Sequence, residues 1–291
     1  MVNPVKAFAI GAVLWGCVPL LAWAQPEREC DLEADLVAVV EALQQSHKRF
    51  TFSGTYLKES AAGREFISVT HSAGGEQGRL EYLNSLSESA VQAVWTPSGP
   101  RVSACELNSM YALYFQQGPM VAGRLTGLLE LRPRDGLRLG YRLAVDAESG
   151  LVLRSEVISD DGSLLERHEY AAINVAPAEV TSATEKQDVT LDYLDIVGLP
   201  VGYRASRARR FEQRALFMSD GIASATVVFE PLPEGLAPGE GAVRQGATIS
   251  YSRGSIVAGN QVLITVIGEI PLRAARLIAE AVRVAPSGGS Q

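Results

Sequence analysis

Between residues 123 and 170 the chain reads as successive β-strands joined by tight turns. Tyr141, Leu143 and Val145 alternate with Arg142, Ala144 and Asp146, the pattern of a half-buried strand. Residues 147–150 supply a turn, 151–158 a second strand, Asp161-Gly162 another hairpin signal, and 164–170 a third strand. A meander of this kind is a scaffold with one face covered, so function is expected in what it covers.

The rest of the chain fits around that meander. Asp31 reads as the N-cap of a helix with Leu32, Leu36, Val39, Val40 and Leu43 at helical spacing. FTFSGTYL at 50–57 switches to alternation, and strand-like runs follow at 66–70, 78–83 and 90–95, with 111–118 ambiguous. The spacing predicts a large domain over 25–175, a single curved sheet with a helix packed on it. Residues 176–190 lose aromatics and read as a linker. A small C-terminal α+β domain is predicted over 191–285, with a hairpin at 215–229, a loop at 231–241, strands at 247–251 and 262–267, and a frayed tail at 286–291. Its terminal helix opens at Pro271 and buries Leu272, Ala275, Ile278, Ala279 and Val282. The fold class is α+β, mainly β.

Residues 1–24 read as a signal peptide, with an apolar run from Ala7 to Ala22 and an A-x-A site at Ala22-Trp23-Ala24. As a helix that run would span roughly 24 Å, short of the roughly 30 Å hydrocarbon core of a bilayer. A rival lipoprotein box at Cys17 is disfavoured by Trp15 and by the apolar residues after it. An exported, soluble, periplasmic protein is expected. Removing the leader leaves Cys30 and Cys105, which could pair in an oxidising compartment for roughly 4 kcal/mol, or stand too far apart to bridge. Two cysteines without histidine at ligand spacing make no metal site.

A net charge of −7 argues against nucleic acid as a partner. Positive charge is nevertheless concentrated at Arg204, Arg207, Arg209, Arg210 and Arg214, and again at Arg132, Arg134, Arg138 and Arg142. Both clusters read either as solvated faces or as docking surfaces for an acidic partner segment or a phosphorylated head group. No catalytic residue and no cofactor is expected. The three histidines, His47, His71 and His168, form no H-E-x-x-H motif, and no nucleophile elbow or phosphate loop occurs. His168 reads as a surface histidine, Asp160, Asp161 and Asp220 as turn formers, and Ser53-Gly54-Thr55 as a bulge or close approach. Phe50, Phe52, Tyr56, Phe66, Trp95, Tyr111, Phe115, Leu128 and Leu131 are more apolar surface than a thin sheet needs. They line a lipid groove, or else a small core absorbs them all.

Several segments together resemble the RseB/MucB family of periplasmic negative regulators of the sigma-E envelope-stress pathway. They are FTFSGTYL at 50–57, the PRD-x-x-R-x-GYRL run within 121–162, GLPVGYR at 198–204, MSDGIASATVVFE at 218–230, QGATISYSRG, and TVIGEIPLRAARLIAEAV near the end. The resemblance implies a large domain like the carriers LolA and LolB, an unclosed β-barrel with helices inside, plus a small C-terminal domain. It implies binding to the periplasmic part of an RseA/MucA-like anti-sigma factor, shielding it from site-1 proteolysis, release by lipopolysaccharide or another acyl-chain ligand, and self-association as a homo-oligomer. The chain departs from the family pattern around Tyr193 and between Pro97 and Gln117. A lipid or lipoprotein carrier using the same groove is the alternative.

Overall fold

The computed structural model describes residues 32–73, 78–83, 92–95, 102–178, 193–194, 196–207, 215–232, 239–257 and 260–284. Helix α1 (Ala34–Arg49) buries Leu36, Val39, Val40 and Leu43, the stripe its 3.6-residue spacing predicts. It opens at Ala34 and not beside Asp31, which lies outside the described residues. Glu33 occupies the N-cap, and its carbonyl accepts from the N–H groups of Leu36 and Val37 at 3.0 and 3.2 Å. At the other end the chain turns extended at Phe50 and runs straight into β1 (Phe50–Ser60).

Strands β2 (Gly63–His71), β3 (Gly78–Tyr82) and β4 (Gln92–Trp95) complete a first meander. Helix α2 (Ala104–Met110) then leads into β5 (Tyr111–Gln117), β6 (Thr126–Pro133), β7 (Gly140–Asp146), β8 (Val152–Ile158) and β9 (Leu164–Pro177). The two helix-plus-meander halves join where β1 pairs with β9, giving one unclosed antiparallel sheet of order β4-β3-β2-β1-β9-β8-β7-β6-β5. The β1–β9 register slips between Thr55 and Tyr56, and a Cβ on Gly54 would collide with the Ala172 carbonyl, so Ser53-Gly54-Thr55 marks both a bulge and a close approach. Strand β9 runs past Tyr170 to Pro177, opposite Phe50, and so enters the stretch read as linker.

Helix α2 was not foreseen, although its signal is local. Ser103 and Glu106 form a reciprocal capping box, with Ser103 Oγ accepting from the Glu106 N–H at 3.2 Å and Glu106 Oε2 from the Ser103 N–H at 2.9 Å. Both helices lie over Leu113, Leu129, Leu131, Leu143 and Val157, the main core of this half.

The C-terminal sheet has the order β10-β11-β12-β13-β16-β15-β14. Its strands are β10 (Tyr193–Leu194), β11 (Arg204–Arg207), β12 (Ala215–Ser219), β13 (Ser224–Pro231), β14 (Glu240–Gln245), β15 (Thr248–Val257) and β16 (Asn260–Gly268). Helix α3 (Leu272–Val284) packs on β15 and β16, burying Ala275, Ile278, Ala279 and Val282 against Val227, Ile249, Tyr251, Ile264 and Val266. Strand β14 begins inside the segment 231–241 that the sequence predicts as loop. All six of its residues are exposed, so no apolar alternation marks it.

Candidate functional site

The two sheets belong to one compact unit, and buried polar groups tie them together at two places. In the first, Arg138, 1 % exposed, donates from Nε to Asp220 Oδ2 at 2.8 Å, and its other nitrogens reach Asp135 and the Val201 carbonyl. Tyr111 Oη donates to the same Asp220 oxygen at 3.1 Å, and the guanidinium lies 5.2 Å from the Tyr203 ring. Asp220 Oδ1 accepts from the backbone of Ile222 and Ala223 at 3.0 and 2.8 Å. Asp220 is therefore the expected turn former and also the anion that draws an arginine out of water. Arg138 is not part of a solvated or docking face. Burial first, then the Asp220 carboxylate, pushes the Tyr111 and Tyr203 hydroxyls well above their usual range, so both stay neutral donors.

The second tie is Glu166 on β9, 3 % exposed. Its Oε1 meets His168 Nε2 at 2.6 Å and Lys58 Nζ at 3.4 Å, while Oε2 accepts from the Ala247 N–H at 3.3 Å. Burial pushes this carboxyl up, but His168, Lys58 and the Ala247 amide together outweigh it and hold it below the usual carboxylate value. Gly246, at φ +58, lets the β14–β15 turn approach, since a Cβ there would strike Glu166. His168 is thus a partly buried joint residue stacked on Tyr56, with ring centroids 5.6 Å apart, and not a plain surface histidine.

Between these ties lies a cavity of about 290 Å³. Leu43 and His47 of α1, Phe52 and Tyr56 of β1, Tyr141 and Leu143 of β7, Leu153 and Val157 of β8, and His168, Tyr170 and Ile173 of β9 form most of its wall. Ile222 and Glu269 close it from the C-terminal sheet. Burial, with His71 adding to it, lowers the His47 imidazole to about 4, so it is neutral in this wall.

Of the aromatic and aliphatic residues singled out from sequence, Phe52 and Tyr56 line this cavity. Phe50 packs beside them on the core of Ile67, Val69, Leu151 and Leu153. Leu131 is buried beneath the helices, Leu128 is half-buried, and Phe66 is exposed on the far face. Phe115 lines a separate hollow of about 460 Å³ beside α1. The Trp95 side chain lies outside the described residues. So do Arg209, Arg210, Arg214 and the Arg207 side chain, while Arg204 donates to Glu106 Oε1 at 2.7 Å. Arg132 and Arg142 pair with Glu130, and Arg134 bonds to Asn108. Cys105 is disulfide-bonded, and Cys17 and Cys30 lie outside the described residues. Tyr141 and Glu269 were not foreseen as wall residues, because nothing local marks either one.

Among the described residues no group of three or more His, Cys, Asp or Glu could hold a metal ion, and no helix is long and apolar enough to cross a membrane. The architecture defines a class: an unclosed antiparallel sheet sheltering a largely apolar cavity, joined through buried ions to a second sheet with one helix. The chain belongs to the MucB/RseB family. Residues 90–191 match the MucB/RseB N-terminal domain and residues 196–283 the MucB/RseB C-terminal domain.

The sigma factor AlgU regulatory protein MucB of Pseudomonas aeruginosa is 27 % identical over 293 residues, covering 86 % of this chain and 91 % of that protein. The sigma-E factor regulatory protein RseB of Escherichia coli (strain K12) is 26 % identical over 184 residues, 56 % of either chain. Among solved structures, MucB in the Pseudomonas aeruginosa MucA/MucB complex matches with a TM-score of 0.65 and 25 % identity, over 84 % of this chain and 97 % of that one. A crystal structure of MucB in complex with MucA(peri) matches with a TM-score of 0.63 and 26 % identity, over 83 % and 96 %.

Proposed function

We propose that this chain is a periplasmic negative regulator of a sigma-E-type stress response, binding the periplasmic segment of a MucA-like anti-sigma factor. The observation that carries the reading is the match to MucB in its complexes with MucA, over 84 % and 83 % of this chain. Bound there, the chain shields the anti-sigma factor from site-1 proteolysis, and a lipidic signal such as lipopolysaccharide releases it. The cavity between the sheets supports the lipidic part. A ligand seated there touches both sheets, and it can shift partner affinity only by its differential affinity for the free and bound forms.

The arginines at 204, 207, 209, 210 and 214 are the proposed partner-facing charges, and Cys30 the proposed disulfide partner of Cys105. Neutralising Arg207, Arg209 and Arg210 together is expected to weaken partner binding and flatten its salt dependence. The deciding experiment is calorimetric titration of the protein with the MucA-like periplasmic segment from the same organism, with and without lipopolysaccharide. Tight binding that lipid weakens supports the reading, and absence of binding in both conditions overturns it. An apolar cavity also suits a lipid or lipoprotein carrier, which would pass bound lipid to an acceptor membrane and ignore the anti-sigma segment.

A further inference from the structure

Two polar groups on the cavity wall meet no partner among the described residues. Tyr141, on β7, is 6 % exposed, and its hydroxyl meets no hydrogen-bonding group among the described residues. Glu269 sits in the turn between β16 and α3, and no hydrogen bond or ion pair reaches its carboxylate among the described residues. Its backbone is nonetheless held, donating to the Ser224 carbonyl at 3.1 Å. Native structures rarely leave a buried hydroxyl unmade, because the lost hydration is not recovered. Here the orphan lies on the wall of a cavity otherwise lined by groups such as Leu143, Leu153, Val157 and Ile173.

The charges around the cavity restrict what can fill it. Burial, and then the Glu166 carboxylate, raise the Glu269 carboxyl above its usual value. An anionic head would meet the same field, with Lys58 and His168 already bound to Glu166 and His47 held neutral. A cationic head would be opposed by Lys58, whose charge already acts on Glu269. Tyr141 stays a neutral donor, its hydroxyl held well above the usual range by burial and then by Glu269. At about 290 Å³ the cavity is at the small end of ligand sites, which span about 300–1,000 Å³, so it suits one chain and not a whole glycolipid.

We propose that this cavity binds a single aliphatic chain bearing a neutral hydroxyl, with the Tyr141 hydroxyl donating a hydrogen bond to the ligand oxygen and the Glu269 carboxylate accepting one from the ligand hydroxyl. The assignment deepens the lipidic-signal part of the proposed function and rests on it. Ile173 and Leu153 would cover the chain, and Tyr141 and Glu269 would read its polar end from opposite sheets.

The test is calorimetric titration of the protein alone, at neutral pH, with decan-1-ol, decanoate and decylammonium, which share chain length and differ in head charge. Decan-1-ol is expected to bind at least about tenfold tighter than either ion. Tyr141→Phe should weaken decan-1-ol roughly threefold to tenfold, the worth of one hydrogen bond, and leave the thermal midpoint within a few degrees. Glu269→Gln, which keeps the shape of the side chain, should narrow the discrimination against decanoate, and it decides the matter should Tyr141→Phe fold poorly. Equal affinity for decan-1-ol and decanoate, or a Tyr141→Phe protein that binds decan-1-ol unchanged, overturns the proposal. Preference for decylammonium does too, since it would make Glu269 an ion-pairing site. No partner segment is present, so failure here leaves anti-sigma binding standing, and failure of anti-sigma binding leaves this result intact.

Discussion

Two residues show how burial converts side-chain chemistry into stability. His47 titrates near 4 in the fold against about 6.5 in an unfolded chain, so between those values the unfolded state takes up a proton that the fold refuses. Stability from this residue is therefore present above about pH 6.5 and lost as the pH falls to about 4, at most about 3 kcal/mol. Urea unfolding at pH 7 and pH 4.5 should show that loss in the native protein and a shallower one in His47→Leu. Arg138 follows a different rule, since its partner Asp220 is wholly buried. Arg138→Met leaves that carboxylate uncompensated and should cost about 3–5 kcal/mol in urea unfolding, far more than an exposed pair such as Arg204–Glu106 would.

At the scale of elements, each half of the large sheet begins with a helix that becomes a strand without an intervening loop. The C-cap N–H of Phe50 bonds to the Ser46 carbonyl and that of Tyr111 to the Leu107 carbonyl, and both caps are extended. A helix anchored this way is set in direction by its strand, so its start carries what freedom remains. In α2 the start is closed by Ser103 and Glu106. Ser103→Ala should lower stability by about 1 kcal/mol in denaturant unfolding, with a smaller loss for Ser103→Asp, which caps as well.

For the whole molecule, the two ties predict that the sheets melt together. Thermal unfolding followed by far-ultraviolet dichroism, which sees both sheets, should coincide with near-ultraviolet dichroism, to which Tyr111 and Tyr203 at the joint contribute. Asp220→Ala removes the anion shared by Arg138 and Tyr111 and should separate the two transitions. Coincident curves in that variant would show that the Glu166–Ala247 contact and apolar packing suffice to couple the sheets.

The meander of β7, β8 and β9 and the buried stripes of α1 and α3 were legible in the amino-acid order, because strand and helix periodicity is a property of a few consecutive residues. The Ser103-x-x-Glu106 capping box of α2 is also a local signal, whereas the exposed β14 carries none. The site was legible only in part. Phe50, Phe52 and Tyr56 are apolar by composition alone, but which strands face them depends on β1 pairing with the distant β9. Arg138 and Asp220 stand 82 residues apart, Tyr111 and Asp220 109, and Glu166 and Ala247 81. Each looked like a surface charge, a core aromatic or a turn residue by itself. Local order determined the strands, helices and turns. Only the packing of one sheet on the other decided which polar groups left water, since burial and charge pairing depend on neighbours that no short stretch of chain contains.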